Sequence, residues 1–374
     1  MAATVAMTTT SAYADYWDAT SRLPAYLANA SDGNGTVAAN VTVTETYVTS
    51  AYGGGLVPAY GLVEFVFVSS ILGILILMTI VGNVFVIAAI ILEKNLQSVA
   101  NHLILSLAVA DLLVAALVMP LSAVYEVTKT WFLGRQICNM WTSLDVLCCT
   151  ASILHLVIIS LDRYWAITSI DYIHRRTPKR IGLMIVMVWV ISAAISIAPL
   201  FGWRDPETAH ASDTCLISQD IGYTFFSTFG AFYIPMVVML SVYYKIYRAA
   251  KSRIRKKPGG RAKMQLPPPS TVGAVQTEAT TMTHLNNERK AAKTLAIITG
   301  SFLLCWLPFF ILEVVKPFCH DCFQGLDAMV SVLLWLGYFN SLLNPVIYTI
   351  FSPDFRNAFH KILLGRYRKK YYPH

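Results

Sequence analysis

Residues 65–92 read FVFVSSILGILILMTIVGNVFVIAAIIL, a run without Asp, Glu, Lys or Arg. At about 1.5 Å per residue it makes a helix longer than the roughly 30 Å of bilayer hydrocarbon, so it is read as a membrane span. Six further apolar blocks follow at 103–125, 137–161, 181–201, 221–244, 294–312 and 328–353. Each has about the 20 residues that a spanning helix needs. Barrel strands would show about ten residues of strict alternation, whereas these blocks are continuously apolar. The predicted fold is therefore an all-α membrane protein, a seven-transmembrane helix bundle. Composition agrees, with 56% hydrophobic and only 13% charged residues in 374. An ordinary soluble domain carries about 25% charge, which argues against a water-soluble enzyme.

Three regions are expected: a disordered, glycosylated outer tail at 1–63, the bundle at 64–353, and a cytoplasmic amphipathic helix and tail at 354–374. No internal repeat and no second folded domain is evident. Residues 1–60 lack an apolar core behind a basic start, so no signal peptide is expected and the first span directs insertion.

Charge sets the orientation. With the N-terminus outside, the inner segments hold 24 Lys and Arg against 6 Asp and Glu, and the outer ones 5 against 13. Basic residues are retained on the cytoplasmic side, so this orientation is the expected one. Asn29, Asn34 and Asn40 each open an Asn-X-Ser/Thr acceptor pattern in the Thr-rich tail, on the side already assigned to the exterior. The positive charge is spread over membrane-flanking loops and forms no single basic face, so a nucleic-acid partner is not expected. The longest inner segment, 245–293, has helix-like ends and a linker-like middle with three prolines at 267–269.

Only two acids fall inside the blocks, Asp111 and Asp145, and a carboxylate at that depth costs several kcal/mol unless a polar cavity or partner receives it. Asp145 and Arg163 are 18 residues apart, five helical turns or about 27 Å, so they share one face of the third helix near opposite membrane surfaces. Cys138 lies about 10 Å outward of Asp145, which places the acid just below an outer mouth. No Lys or Arg occurs in any block, so this carboxylate has to be neutralised by a proton or by a cation from outside. Trp306, Phe309 and Phe310 around Pro308, with Trp335 and Tyr338 in the last block, offer aromatic faces to an ammonium group. Core packing alone is the commoner fate of such rings; the acid beside them favours a cationic ligand.

Cys148, Cys149 and Cys305 lie within blocks as packing residues. Cys138 and Cys215 both fall outside and are expected to pair. Cys319 and Cys322 flank His320 and Asp321; a local disulfide accounts for them better than zinc, which needs three or four ligands. No catalytic constellation is found, and His155 has no nearby Ser or Cys partner in sequence that suggests nucleophilic work, so it is read as a packing residue.

Taken together, these residues resemble a rhodopsin-like G protein-coupled receptor over about 65–364. The resemblance rests on Gly82-Asn83-Val84, Leu107-Ala108-Val109-Ala110-Asp111, Cys138, Asp162-Arg163-Tyr164, Trp189, Pro235 with Tyr243, Cys305-Trp306-Leu307-Pro308 and Asn344-Pro345-Val346-Ile347-Tyr348. Trp141 and the run from Asp145 to Leu156 resemble biogenic amine receptors, most of all the invertebrate branch of type 1 serotonin receptors. The resemblance implies that Asp145 holds a ligand ammonium. It also implies ligand contacts from Val146, Cys149, Thr150, Ile217, Ser227, Thr228, Ala231, Trp306, Phe309, Phe310 and Tyr338. Ala231 stands where catecholamine receptors carry a third hydroxyl, which suits an indole with one ring hydroxyl.

The same resemblance implies a sodium ion, with no other cofactor, in a pocket of Asp111, Ser152, Asn340 and Asn344. It implies that Arg163 pairs with Asp162 and Glu288 at rest. Pro235, Ile153, Phe302 and Trp306 would form a packing switch, and Tyr164, Tyr243, Pro345 and Tyr348 belong to the activation motifs. The implied function is a plasma-membrane receptor for serotonin that activates an inhibitory Gi/o-type G protein and lowers cyclic AMP, with arrestin and receptor kinases as further partners. Octopamine, tyramine or dopamine is the alternative ligand. An ion-coupled amine transporter is more remote, because transporters repeat their halves. An opsin is excluded by the absence of lysine from 328–353.

Two departures from the family stand out. The second inner loop, Ala166-Ile167-Thr168-Ser169-Ile170-Asp171-Tyr172, is one residue short and lacks a proline. After Pro353, Phe355, Phe359, Ile362 and Leu363 recur at helical spacing beside Arg356 and Lys361, which predicts a helix lying on the membrane surface. No cysteine follows it to carry a palmitate.

Overall fold

A computed structural model describes residues 61–203, 214, 215, 217, 220–255, 294, 296–318 and 326–365. Asn29, Asn34, Asn40, Glu288, Cys319 and Cys322 lie outside them. Seven helices long and apolar enough to cross a membrane are present among the described residues. They are α1 (Leu62–Leu92), α2 (Asn101–Thr128), α3 (Gly134–Thr168), α5 (Pro178–Phe201), α6 (Ile221–Ala249), α7 (Ala296–Phe318) and α8 (Asp327–Phe351). The described residues also include the short α-helices α4 (Ile170–Arg175), between α3 and α5, and α9 (Pro353–Leu363), after the last span.

Most helices overrun the predicted blocks, because hydropathy marks only the hydrocarbon layer while the backbone keeps its hydrogen bonds through the headgroups. The third is the clearest case, ending at Thr168 and not near 161, so Ala166–Thr168 are helix and not loop. The fifth span's helix runs on to Arg255, well past 244. At the other end, Pro353 does not close α8. Ser352 before it is extended, as a residue preceding proline prefers, and Pro353 opens α9.

The bundle is built around α3, 61% of whose apolar window is buried against 28% for α1 and α5. Prolines shape the spans locally. Pro120 and Pro235 lack an N–H and crowd the carbonyl four residues back, and each follows a widened π turn, Val114–Val118 and Phe229–Tyr233. Pro345 leaves the Ser341 carbonyl without its usual donor; Asn83 Nδ2 supplies one at 3.1 Å. Gly82 makes that approach possible, since a Cβ there would lie 3.1 Å from the Pro345 ring.

Candidate ligand cavity and buried polar clusters

Asp145 lies one turn above Cys149 on α3 and faces the bundle interior, 7% exposed. Its Oδ2 accepts from the Tyr338 hydroxyl at 3.1 Å and its Oδ1 from the Cys149 thiol at 3.3 Å. Ser122 on α2 donates in turn to the Tyr338 oxygen at 3.2 Å. These donors are all neutral, and no Lys or Arg among the described residues pairs with Asp145. A carboxylate so placed keeps its attraction for a cation, because low-dielectric surroundings strengthen that attraction and bulk water does not screen it.

The space before Asp145 is a cavity partly open to solvent. On the α3 side it is lined by Asp145, Val146, Cys149, Thr150 and Ile153. Thr224, Ser227, Thr228 and Ala231 come from α6, where the π turn carries Ala231. Trp306, Phe309, Phe310 and Glu313 come from α7, and Leu334 from α8. Cys138 and Cys215 form the expected disulfide, which ties the loop before α6 to the head of α3 and holds Ile217, two residues on, over the cavity.

The floor is a stack of rings and branched chains. Phe310 lies flat on Phe232, with centroids 4.2 Å apart, and Phe232 in turn meets Phe302. Trp306 meets Phe309, Phe310 and Tyr338. Gly337 lets Trp306 lie against α8, since a Cβ there would come within 2.6 Å of the indole.

Deeper in the bundle, Asp111 accepts from Ser152 Oγ at 3.1 Å, Ser341 Oγ at 3.0 Å and Asn344 Nδ2 at 2.7 Å. Ser341, one residue beyond Asn340, joins the expected Ser152 and Asn344 around Asp111. The side-chain oxygens of Asn340 and Asn344 are buried without a hydrogen-bond partner among the described residues. His155 belongs to a separate chain of bonds. Trp189 Nε1 donates to Ser106 Oγ at 3.1 Å, Ser106 meets His155 Nε2 at 2.8 Å, and Nδ1 lies 2.7 Å from the Ala151 carbonyl. His155 is thus a hydrogen-bonded structural residue whose serine partner lies 49 residues away.

At the end of the bundle away from the cavity, Arg163 and Asp162 stand as an ion pair. Arg163 Nε stands 3.9 Å from Asp162 Oδ2, beyond hydrogen-bonding reach. Asp162 also accepts from the Tyr172 hydroxyl and from Arg176 Nη2, each at 2.9 Å. The cause is α4, which brings both donors back under α3. Burial, with the Asp162 charge added, pushes the Tyr172 phenol up to about 12, so it stays a donor at neutral pH. Tyr243 and Thr299 hydrogen-bond through their hydroxyls at 2.9 Å, and Tyr348 stacks on Phe355 at the α8–α9 joint.

The profile of the family described as 7 transmembrane receptor (rhodopsin family) matches residues 82–348. The chain belongs to this family. A 5-hydroxytryptamine receptor of Lymnaea stagnalis is 44% identical, the alignment covering 81% of each chain. One of Bombyx mori is 46% identical over 79% of this chain and 83% of its own. The 5-hydroxytryptamine receptor 1A-alpha of Takifugu rubripes is 42% identical over 86% and 93%.

The protein is therefore a multi-pass plasma-membrane receptor and not an enzyme. Of the ligand contacts expected from sequence, the receptor places all but one on the cavity wall. Tyr338 is the exception: fully buried, it stands behind Asp145 and orients it. Thr224, Glu313 and Leu334 were not anticipated. Thr224 precedes Thr228 by four and Glu313 follows Trp306 by seven, so helical spacing held the signal for both. Nothing local marked Tyr172 and Arg176 as partners of Asp162.

Proposed function

We propose that this receptor binds serotonin and, once occupied, activates an inhibitory Gi/o-type G protein that lowers cyclic AMP. The observation that carries the reading is Asp145, a buried carboxylate with only neutral donors, set in an aromatic cavity with hydroxyls on the opposite wall. The ammonium of the ligand pairs with Asp145 and rests against aromatic faces. The indole hydroxyl reaches Ser227 or Thr228, and Ala231 leaves no third hydroxyl for a catechol. The relatives named as 5-hydroxytryptamine receptors favour serotonin over octopamine, tyramine or dopamine. With the N-terminus outside, as the basic inner loops favour, the cavity opens to the extracellular medium.

Signalling requires the ligand to favour the state whose cytoplasmic end is open, since equal affinity for both states shifts nothing. Contact with Trp306 and Phe310 reaches Phe232 and Phe302 beneath them. Movement of α7 there would free Arg163 for the G protein, with arrestin and receptor kinases following. A sodium ion suits the resting state. Asp111, Ser152 and Ser341 would supply oxygen, and the buried oxygens of Asn340 and Asn344, without a hydrogen-bond partner among the described residues, are the kind of ligand that a hard cation or its water takes. Bound there, it would neutralise Asp111.

A panel of biogenic amines on transfected cells, read as cyclic AMP, tests this function. Serotonin is expected to lower cyclic AMP at the lowest concentration. A lower threshold for octopamine, tyramine or dopamine would reassign the ligand, and a rise in cyclic AMP would reassign the G protein.

A further inference from the structure

Asp162 is shared between two cations. Its side chain is 1% exposed, and it stands 3.9 Å from Arg163 Nε and 2.9 Å from Arg176 Nη2. Tyr172 adds a neutral hydrogen bond at 2.9 Å. The two guanidiniums reach the carboxylate by different routes. Arg163 is its neighbour on α3, whereas Arg176 lies fourteen residues on, in the link between α4 and α5, and makes the shorter contact.

Ring contacts hold the second route in place. Tyr172 lies against Trp165 of α3, with centroids 5.5 Å apart. Arg180, in the first turn of α5, stands 4.9 Å from the Tyr172 ring and 5.4 Å from that of Trp165, and Arg176 stands 5.6 Å from Tyr172. Thr177 caps α5 between the two arginines. These contacts are built on α3, α4 and α5, and not on α7, whose movement releases Arg163 in the proposed function.

Release of Arg163 withdraws one cation from a carboxylate closed off from water, and a buried acid left without its cation is strongly destabilised. We propose that Arg176 is the reserve counter-ion of Asp162: it neutralises the carboxylate when Arg163 turns to the G protein, and so makes the signalling state less costly to reach. It is a positioning residue that acts through Asp162. At rest the carboxylate has both cations; in the signalling state it has Arg176 alone. Loss of Arg176 therefore costs the signalling state more than the resting one. It also leaves Arg163 as the one arginine of the pair still on Asp162, which tightens the resting contact. Both effects lower signalling.

This inference rests on the G protein reading. Guanine nucleotide exchange, basal and serotonin-stimulated, is measured with heterotrimers of each class on membranes carrying the full chain. The receptors compared are the unsubstituted one, Arg176→Gln, Arg176→Lys, Asp162→Asn and the double variant Asp162→Asn/Arg176→Gln, with rates taken per receptor counted by surface labelling. Arg176→Gln is expected to lower both rates about fivefold to tenfold, the worth of a hydrogen bond to a charged group, and Arg176→Lys to lower them less because the charge stays. Once Asp162→Asn has removed the charge to be held, adding Arg176→Gln should change exchange by less than about twofold. Unchanged or raised exchange in Arg176→Gln would overturn the proposal. So would an equal loss with and without the Asp162 charge, which would place Arg176 on the G protein itself. If serotonin leaves exchange by the unsubstituted receptor unaltered, the ligand reading fails and the basal rates still decide the role of Arg176. If no heterotrimer shows basal exchange either, the G protein reading falls and takes this inference with it.

Discussion

Tyr338 donates to Asp145 across the gap between α8 and α3, at 3.1 Å, so the charge that receives the ligand is aimed by a residue 193 positions away. Ser122 holds the Tyr338 oxygen from α2. Three spans thus converge on one carboxylate. Asp145→Asn keeps the shape and removes the charge, and a buried charge pair of this kind is worth about 2–5 kcal/mol. We expect at least a hundredfold loss of amine affinity with normal surface labelling. Tyr338→Phe should lose about tenfold and Ser122→Ala less, both read by saturation binding. Unchanged affinity in Asp145→Asn would remove the basis of the proposed function.

Ala231 is buried on the π turn of α6, one turn from Ser227 and Thr228. A hydroxyl there would complete the set that a catechol uses. Ala231→Ser should raise dopamine affinity relative to serotonin by about threefold to tenfold, the worth of one modest hydrogen bond. The ratio of the two inhibition constants is the quantity to measure.

Asp111 offers a test that does not depend on the ligand site. If sodium sits among Asp111, Ser152, Ser341 and the two asparagine oxygens, replacing sodium chloride with choline chloride should raise agonist affinity. Asp111→Asn should abolish that difference, and Ser341→Ala should weaken it. Sodium dependence that survives in Asp111→Asn would place the ion elsewhere.

The seven spans were legible because crossing hydrocarbon leaves a sequence few options, and 65–92 alone sets the pattern. Asp145 was legible for the same reason, as a charge with no local excuse. What the sequence obscured depends on distant chain. Ser341 and Asn340 are neighbours with the same polar character, and only the packing of α8 against α2 makes Ser341 a partner of Asp111. Tyr172 reaches Asp162 only because α4 folds back beneath α3, in a stretch that hydropathy leaves as loop. Glu313 looked like an outer-loop acid, since the apolar block ends before it, yet its helix continues to Phe318.

Asn83 shows how a motif residue can be structural. Its amide bonds the Thr79 and Ser341 carbonyls at 3.0 and 3.1 Å, and the second is the one that Pro345 leaves open. Asn83→Ala would strand a buried carbonyl, which costs about 1–3 kcal/mol. A drop in thermal midpoint of detergent-solubilised receptor is expected even without ligand. Asn83→Asp, which keeps the size but cannot donate when ionised, should be no better.

Two glycines on neighbouring helices separate steric need from helix preference. A Cβ at Gly337 would sit 2.6, 2.7 and 2.8 Å from three carbons of the Trp306 ring, closer than real contacts allow, so the ring or α8 must move. Trp306 lies on the cavity floor and touches Phe310, and any shift of its ring passes to the Phe232 and Phe302 stack. Gly337→Ala should therefore alter both amine affinity and basal cyclic AMP, the direction of the second showing which state the displaced ring prefers. Gly300 on α7 is the control, since a Cβ there meets nothing within 4 Å. Gly300→Ala should stabilise the receptor by up to about 1 kcal/mol through helix propensity and leave affinity and basal signalling alone. If both alanines behaved alike, the close approach of Trp306 to α8 would have no part in the switch.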